Sequence, residues 1–293
     1  MVNWHNYNES LVRRGEIILD FDVIIDSWDN ELDNMNDGKE GACYRYPNSF
    51  VQLLGYMRAY FHLPYRQTEG VVRVYTDSKV RSIPDYSTIN RRVNKLDIRI
   101  NKRIGNDIVI VLDSTGIKVT NRGEWLPHKW NIRKGYLKIH VAVDVKKKKI
   151  VSLEVTTEEV YDGMMLRKLI ENAAAAAENN NVKRVIADGA YDSKENFRYL
   201  FDNDIEAAIK VRKNSSADKI TNSHPRKIVV QQQLKNFEKW KDSVSYGYRW
   251  IAETVFSSIK RMFGEYVSAR KYSNMVKEMM LKASLYNTFI TRK

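Results

Sequence analysis

The stretch DIVIVLD (107–113), with YLKIHVAVDV (136–145) and KIVSLEVT (149–156) after it, decides the fold of this chain. The first is a continuous β-branched apolar run, the pattern of a strand covered on both faces. The other two alternate apolar and polar residues, and lysines 146–149 between them form a charged turn, so they read as a hairpin beside the first strand. Outward from this core, DGMMLRKLIENAAAAAEN (162–179) predicts a helix capped by Asp162. VKRVIAD (182–188) is a strand, SKENFRYLFDN (193–203) a short helix and EAAIKVRK (206–213) a fifth strand. Three strands, helix, strand, helix, strand is an α/β order. The polar and basic residues 214–240 read as an inserted loop region, and NMVKEMMLKASLYNTFI (274–290) as a last amphipathic helix.

Before residue 107 the periodicity is helical. NSFVQLLGYMRAYFHL (48–63) predicts a helix capped by Asn48 or Ser49 and broken by Pro64. YRQTEGVVRVYTD (65–77) follows, and then STINRRVNKLD (87–97) with Ser87 as its cap and Arg91, Arg92 and Lys95 on its outer side. Three short helices with a basic last one look like a helix-turn-helix module; the alternative is a packing domain with a solvated face. The expected organisation is a helical region over 1–106 and a catalytic domain over 107–293.

The formal net charge of +13 favours a polyanionic partner, nucleic acid first. Residues 1–42 are acidic, 43–106 and 212–293 are basic, and the middle is near neutral, as a buried sheet requires. One cysteine, Cys43, excludes an intrachain disulfide framework and a cysteine-based zinc site, and the five histidines lack ligand spacing. No apolar run approaches a membrane span and the N-terminus lacks a signal peptide's apolar region, so a soluble protein of a reducing compartment is expected.

Chemistry concentrates in three places. In YGYRWIAETVFSSIK (246–260), Tyr246, Arg249, Glu253 and Lys260 fall within roughly 60° of one another on a helical wheel. Ile251, Val255, Ile259 and Met262 take the opposite, core-facing side. Asp113 and Asp188 are each expected at a strand end, followed by small residues that let a ligand approach. Two aspartates in one crevice with Glu253 from a flanking helix can hold a pair of hard divalent cations. Taken singly, Asp113 and Asp188 are also good turn residues, and Glu253 can be a surface partner of Arg249.

VLDSTG around Asp113, IADGAYDS around Asp188 and the complete tyrosine–arginine–glutamate–lysine signature at 246–260 resemble the DDE transposases of bacterial and archaeal insertion sequences, in the insertion-sequence 4/5 superfamily. YNESLVRRG, LPYRQTEG and PDYSTINRR extend the resemblance over nearly the whole chain. It implies a ribonuclease H-like mixed-sheet catalytic domain, which the strand order fits, preceded by a small all-helical domain. It also implies that Asp113, Asp188 and Glu253 are the catalytic residues and bind two magnesium (or manganese) ions. Tyr246, Arg249 and Lys260 would grip the transposon end, with Arg91 and Arg92 as further DNA contacts; Trp125, Trp130 and the HKW at 128–130 are looser candidates. The stretch between Asp188 and Glu253 is short beside the β-rich insertion of some relatives.

The expected function is cleavage at the terminal inverted repeats of an insertion sequence and joining of the freed 3′-hydroxyls to target DNA. The partners would be double-stranded DNA and a second copy of the chain, in the nucleoid of a prokaryotic cytoplasm. Two rivals remain: a ribonuclease H-like nuclease without strand transfer, and a transposase-derived DNA-binding regulator without catalysis.

Overall fold

The computed structural model describes residues 4–19, 22–75, 80, 82–100, 105–119, 136–177, 179, 181–216 and 224–291. They form two compact units, Met1–Ile98 with Ala269–Lys293, and Arg99–Ser268.

The first unit is helical. It holds α1 (Trp4–Leu19), α2 (Asp22–Asn36), α3 (Asn48–Tyr60), α4 (Tyr65–Tyr75), α5 (Tyr86–Val93) and the C-terminal helix Tyr272–Thr291. Pro47 opens α3, and the Ser49 amide donates to Glu31 rather than to a cap. Helix α5 is capped by Asp85, not Ser87, because that carboxylate accepts from the Ser87 and Thr88 amides at 2.8 and 3.0 Å. The C-terminal helix was expected within a catalytic domain running to 293. It packs instead on α3: the Leu281 side chain lies 3.2 Å from where a Cβ on Gly55 would sit, and Tyr56 Oη and Ser284 Oγ are 2.7 Å apart. Its apolar residues, Met279, Leu285 and Phe289 among them, find their burial there.

The second unit is built on a six-stranded mixed sheet. Its strands are β1 (Ile108–Val119), β2 (Tyr136–Asp144), β3 (Ile150–Thr157), β4 (Val182–Ala187), β5 (Glu206–Ile209) and β6 (Tyr266–Val267). The order is β3-β2-β1-β4-β5, with β6 also on β1. Only β2 runs antiparallel to the rest. A hairpin followed by crossovers to parallel strands gives this order, and it is the ribonuclease H-like arrangement.

Both faces of β1 are covered, as its unbroken apolar run requires. Ile110 and Leu112 pack with Leu166, Leu169 and Ile170 of α6 (Asp162–Ala176) and with Phe197 and Leu200 of α7 (Lys194–Asp202). Val109 and Val111 face the opposite core of Trp240, Val244, Tyr246 and Ala252.

Residues 214–240 depart from the expected loop. They carry α8 (Pro225–Lys235) and most of α9 (Phe237–Ser243), with Pro225 in the first turn of α8 and Asn236 accepting from the Lys239 amide to cap α9. Helix α8 buries only Val230 and Gln233, so its sequence carries little helical periodicity. Among the described residues between Asp188 and Glu253, β5 is the one strand.

Helix α10 (Trp250–Phe263) ends at Gly264, whose φ of 75° and ψ of 166° suit glycine alone. The turn sends the chain into β6, where Tyr266 and Val267 pair with Lys118 and Val119 of β1. A Cβ on Gly264 would lie 2.9 Å from Tyr266 Cε1. Gly264→Ala is therefore expected to lower stability by about 1–3 kcal/mol in urea unfolding. An unchanged midpoint would show that the turn does not constrain α10.

Candidate active site

Asp113 does not end a strand. It lies midway along β1, which continues to Val119 because β2 and β6 pair with its second half. Strand β4 stops earlier, its last pair with β1 being Val111 with Ile186. Beyond that pair β1 has no strand partner on this edge until β6 joins at Lys118, and beside the gap the chain turns at Asp188. Alternation along β1 puts Asp113 on the same face as Val109 and Val111, the face that α10 covers.

From that helix comes Arg249's neighbour Glu253. The Arg249 guanidinium sits between two acids, Nη1 at 3.7 Å from Asp113 Oδ2 and Nη2 hydrogen-bonded to Glu253 Oε1. Burial raises the Asp113 carboxyl to about 6; the Ser114 amide and Arg249 oppose the rise, and the charges of Asp188 and Glu253 add to it. Glu253 itself is 55% exposed. Lys260 lines the same groove, together with Asp113, Ser114, Thr115 and Glu253.

Tyr246 is displaced from its expected helical face. It begins a 3-10 turn (Tyr246–Arg249) that precedes α10, launched by Ser245 in a left-handed conformation, φ 56°. The ring is buried against Trp240, centroids 5.3 Å apart, so packing rather than solvent holds it. Burial pushes its hydroxyl to about 12, Arg249 opposes this, and Asp188, Asp113 and Glu253 add to it. The phenol therefore stays within electrostatic reach of all three acids. Met262, expected on the core side, is only half-buried; Phe263 takes that place.

Asp188 is oriented by its own turn, where its carboxylate accepts from the Ala190 amide at 2.9 Å. Four residues on, Asp192 is a buried anchor. Arg226 grips it with Nε at 2.5 Å and Nη2 at 2.8 Å, and the Arg212 amide donates at 2.9 Å. Burial raises its pKa, but these donors outweigh that and hold it below the ordinary carboxylate value. The pair ties the Asp188 turn to the end of β5 and the start of α8.

On the other face of β1, Asp162 is not the α6 cap; Tyr161 precedes the helix and caps nothing. Its carboxylate meets Lys138 Nζ at 2.7 Å and His140 Nδ1 at 3.3 Å. Burial opposes ionisation there, and the nearby His140, Lys138 and Ser114 overcome it and depress the pKa. No local sequence pattern announces the burial of His140.

Arg91 and Arg92 lie in the helical unit. Arg91 is exposed and bonds Thr88 Oγ1, whereas Arg92 is half-buried, bonded to the Tyr46 carbonyl and Asn48 and set over the Tyr44 ring. Trp125, His128 and Trp130 lie outside the described residues.

A family model described as Transposase DDE domain matches residues 104–288, and a second of the same description matches 12–122. The chain belongs to the transposase DDE-domain family. Solved structures with distant similarity include a piggyBac transposase synaptic complex with hairpin DNA, at 11% identity over 93% of this chain and 73% of that one, TM-score 0.43. The Mos1 strand transfer complex matches at 11% identity over 87% and 76%, TM-score 0.33. The Drosophila P element transposase strand transfer complex matches at 12% over 89% and 69%, TM-score 0.34.

Among the described residues no three acidic, histidine or cysteine side chains converge as a metal-holding group, and Glu253 is engaged by Arg249. The donor set nevertheless suits a hard cation, being all carboxylate, with one member held near 6 by burial and by its acidic neighbours.

Two outcomes follow for stability. The folded pKa of Asp113 lies above the ordinary 3.8, so folded protein holds this proton more tightly than the unfolded chain does. Stability from this group is complete below about pH 4 and falls as pH rises through about 6. In the absence of divalent ions, Asp113→Asn should thus exceed wild type in stability at neutral pH by on the order of 2–3 kcal/mol, converging near pH 4. A difference that does not grow between those pH values would contradict the assignment. Asp192→Asn should lower stability by about 3–5 kcal/mol, because it leaves the Arg226 charge buried without its partner; a thermal midpoint within a degree of wild type would count against the anchor.

Proposed function

We propose that this protein is a DNA transposase that cuts at the terminal inverted repeats of its own insertion sequence and joins the freed 3′-hydroxyl ends to target DNA. The carrying observation is Asp113, raised to about 6 with Asp188 and Glu253 bearing on it and Arg249 bridging to Glu253, in a chain of the transposase DDE-domain family. Asp113, Asp188 and Glu253 are the residues that would hold two magnesium or manganese ions. Such ions, when bound, stabilise the attacking and leaving oxygens of an in-line phosphoryl displacement.

The remaining work falls to the chain's own side chains. Arg249 exchanges its hold on Glu253 for a DNA phosphate, so that the glutamate is released to the site as the strand arrives. Lys260, in the same groove, neutralises the backbone near the scissile bond. Tyr246 is fixed by Trp240, which keeps its hydroxyl from wandering and offers it as a donor to the transposon end. The basic net charge supports double-stranded DNA as partner and a steep salt dependence of binding. Two ends must be held together for joining, which favours a homodimer on DNA, acting at the nucleoid of a prokaryotic cell.

The test compares wild type and Glu253→Gln on a duplex that carries the element's terminal repeat, with magnesium. Wild type should nick the end and transfer it to a second duplex. The variant should bind the same end but cleave at a rate lower by about 10²–10³-fold. Equal nicking by both would sink the catalytic assignment; cleavage without joining would favour a nuclease, and binding without cleavage by wild type a regulator.

A further inference from the structure

The turn between β2 and β3 carries Lys146, Lys147 and Lys148, all exposed, and the transposase reading gives them no task. A run of lysines is ordinarily a solvated face, but this turn is a fixed one. The buried Asp144 closes it. Its carboxylate accepts from the Lys147 amide at 2.9 Å and the Lys146 amide at 3.4 Å, and its carbonyl accepts from the Lys148 amide at 2.8 Å. Lys148 stands there at φ 55°, a left-handed conformation that glycine or asparagine adopts at less cost. A long cationic side chain thus occupies a position where the backbone favours almost none.

Lys148 is also held at its far end. Its ammonium lies over the Trp250 ring, 5.2 Å from the centroid, within reach of a cation–π attraction. Trp250 opens α10, is 48% exposed and stands three residues before Glu253, so the two side chains are neighbours on the helix surface. From the sheet the turn is equally near: Asp144 pairs with Ile110, about 10 Å along β1 from Asp113. Toward the other end of α10, Lys260 and Arg261 line the groove that holds Asp113 and Glu253. Cations therefore flank the acidic residues on both sides along this helix.

The residue type narrows the partner. Lysine is a point charge that meets phosphates without the fork that lets arginine read a base, and the turn holds no arginine, asparagine or glutamine. Such a surface suits DNA whose sequence changes from one event to the next. We propose that Lys146, Lys147 and Lys148, with Trp250 orienting Lys148, bind the phosphate backbone of duplex DNA outside the terminal repeat, in the donor flank or in the target. The lysines touch the backbone, and Trp250 acts through Lys148. The inference rests on the DNA-transposase reading.

The experiment uses the full chain and measures binding by fluorescence anisotropy over a series of KCl concentrations, beside thermal unfolding and magnesium-dependent nicking. Three duplexes are compared: a terminal repeat with its flank, the same repeat ending flush at the element boundary, and an unrelated sequence. The combined variant Lys146→Ala, Lys147→Ala, Lys148→Ala should lower the slope of log affinity against log salt by about 2–3 on the flanked or the unrelated duplex. The flush repeat should bind that variant as it binds wild type. Loss on the flanked duplex alone assigns the turn to donor DNA, and loss on the unrelated duplex assigns it to target. Lys148→Gly separates binding from folding. Glycine suits the left-handed backbone, so this variant should unfold close to the wild-type temperature while its slope falls by about 1. Trp250→Leu should weaken binding as Lys148→Gly does, and Trp250→Phe, which keeps a ring under the ammonium, should restore it. Wild-type slopes for the combined variant on all three duplexes, with nicking by wild type intact, would overturn the role of the turn and leave the transposase reading standing. An equal loss on the flush repeat would make the turn part of end recognition and would overturn it too. A wild type that binds none of the duplexes would remove the transposase reading and this inference together.

Discussion

The carboxylate of Asp113 sits midway along the central strand, where burial raises its pKa to about 6, and the site is arranged around the problem of that charge. A buried carboxylate needs a cation, and here the guanidinium of Arg249 supplies it while also holding Glu253. The same arrangement brings a second and third acid to bear on the first. On the proposed two-metal reading, the charges that make the metal-free protein less stable near neutral pH are the ones that would receive divalent cations. Stability and chemistry are drawn from one set of charges.

Several features of the frame exist to keep that set together. The early stop of β4 opens one edge of β1 beside Asp113 and lets the chain turn at Asp188. Asp192 and Arg226 then pin that turn to β5 and α8. Further along the same edge Gly264 sends the chain from α10 into β6, so the helix carrying Glu253 is fixed to the same strand that carries Asp113. Trp240 packs Tyr246 beneath the 3-10 turn that begins the helix. Each is a local device, and each acts on a different element that leads to one crevice.

Much of this was readable from residues alone. The unbroken apolar run at 107–113 and the alternating runs after it carry the period and the burial of their strands, so the sheet and its helices were legible. Glu253 stands in the fixed-spacing signature at 246–260, whereas Asp113 and Asp188 stand in short motifs that are also good turns. Periodicity is silent where a contact is made by chain segments distant in sequence. Nothing local tells that β1 runs on to Val119, since β2 and β6 impose it, or that the C-terminal helix belongs with α3. A wheel projection treats Tyr246 as part of α10, but Ser245 and the 3-10 turn rotate it into the core. Asp162 reads as a helix cap because its partners, Lys138 and His140, lie more than 20 residues away in sequence. Helix α8 was hidden for another reason, its surface being polar nearly all round.

Crystals of the protein with a terminal-repeat duplex, soaked in Mn2+ and measured at the manganese absorption edge, test the central claim most directly. Anomalous density between Asp113, Asp188 and Glu253, with Arg249 turned away from Glu253, is the result expected. Manganese bound elsewhere, or none at saturating concentration with Arg249 still bridging Asp113 and Glu253, would contradict it.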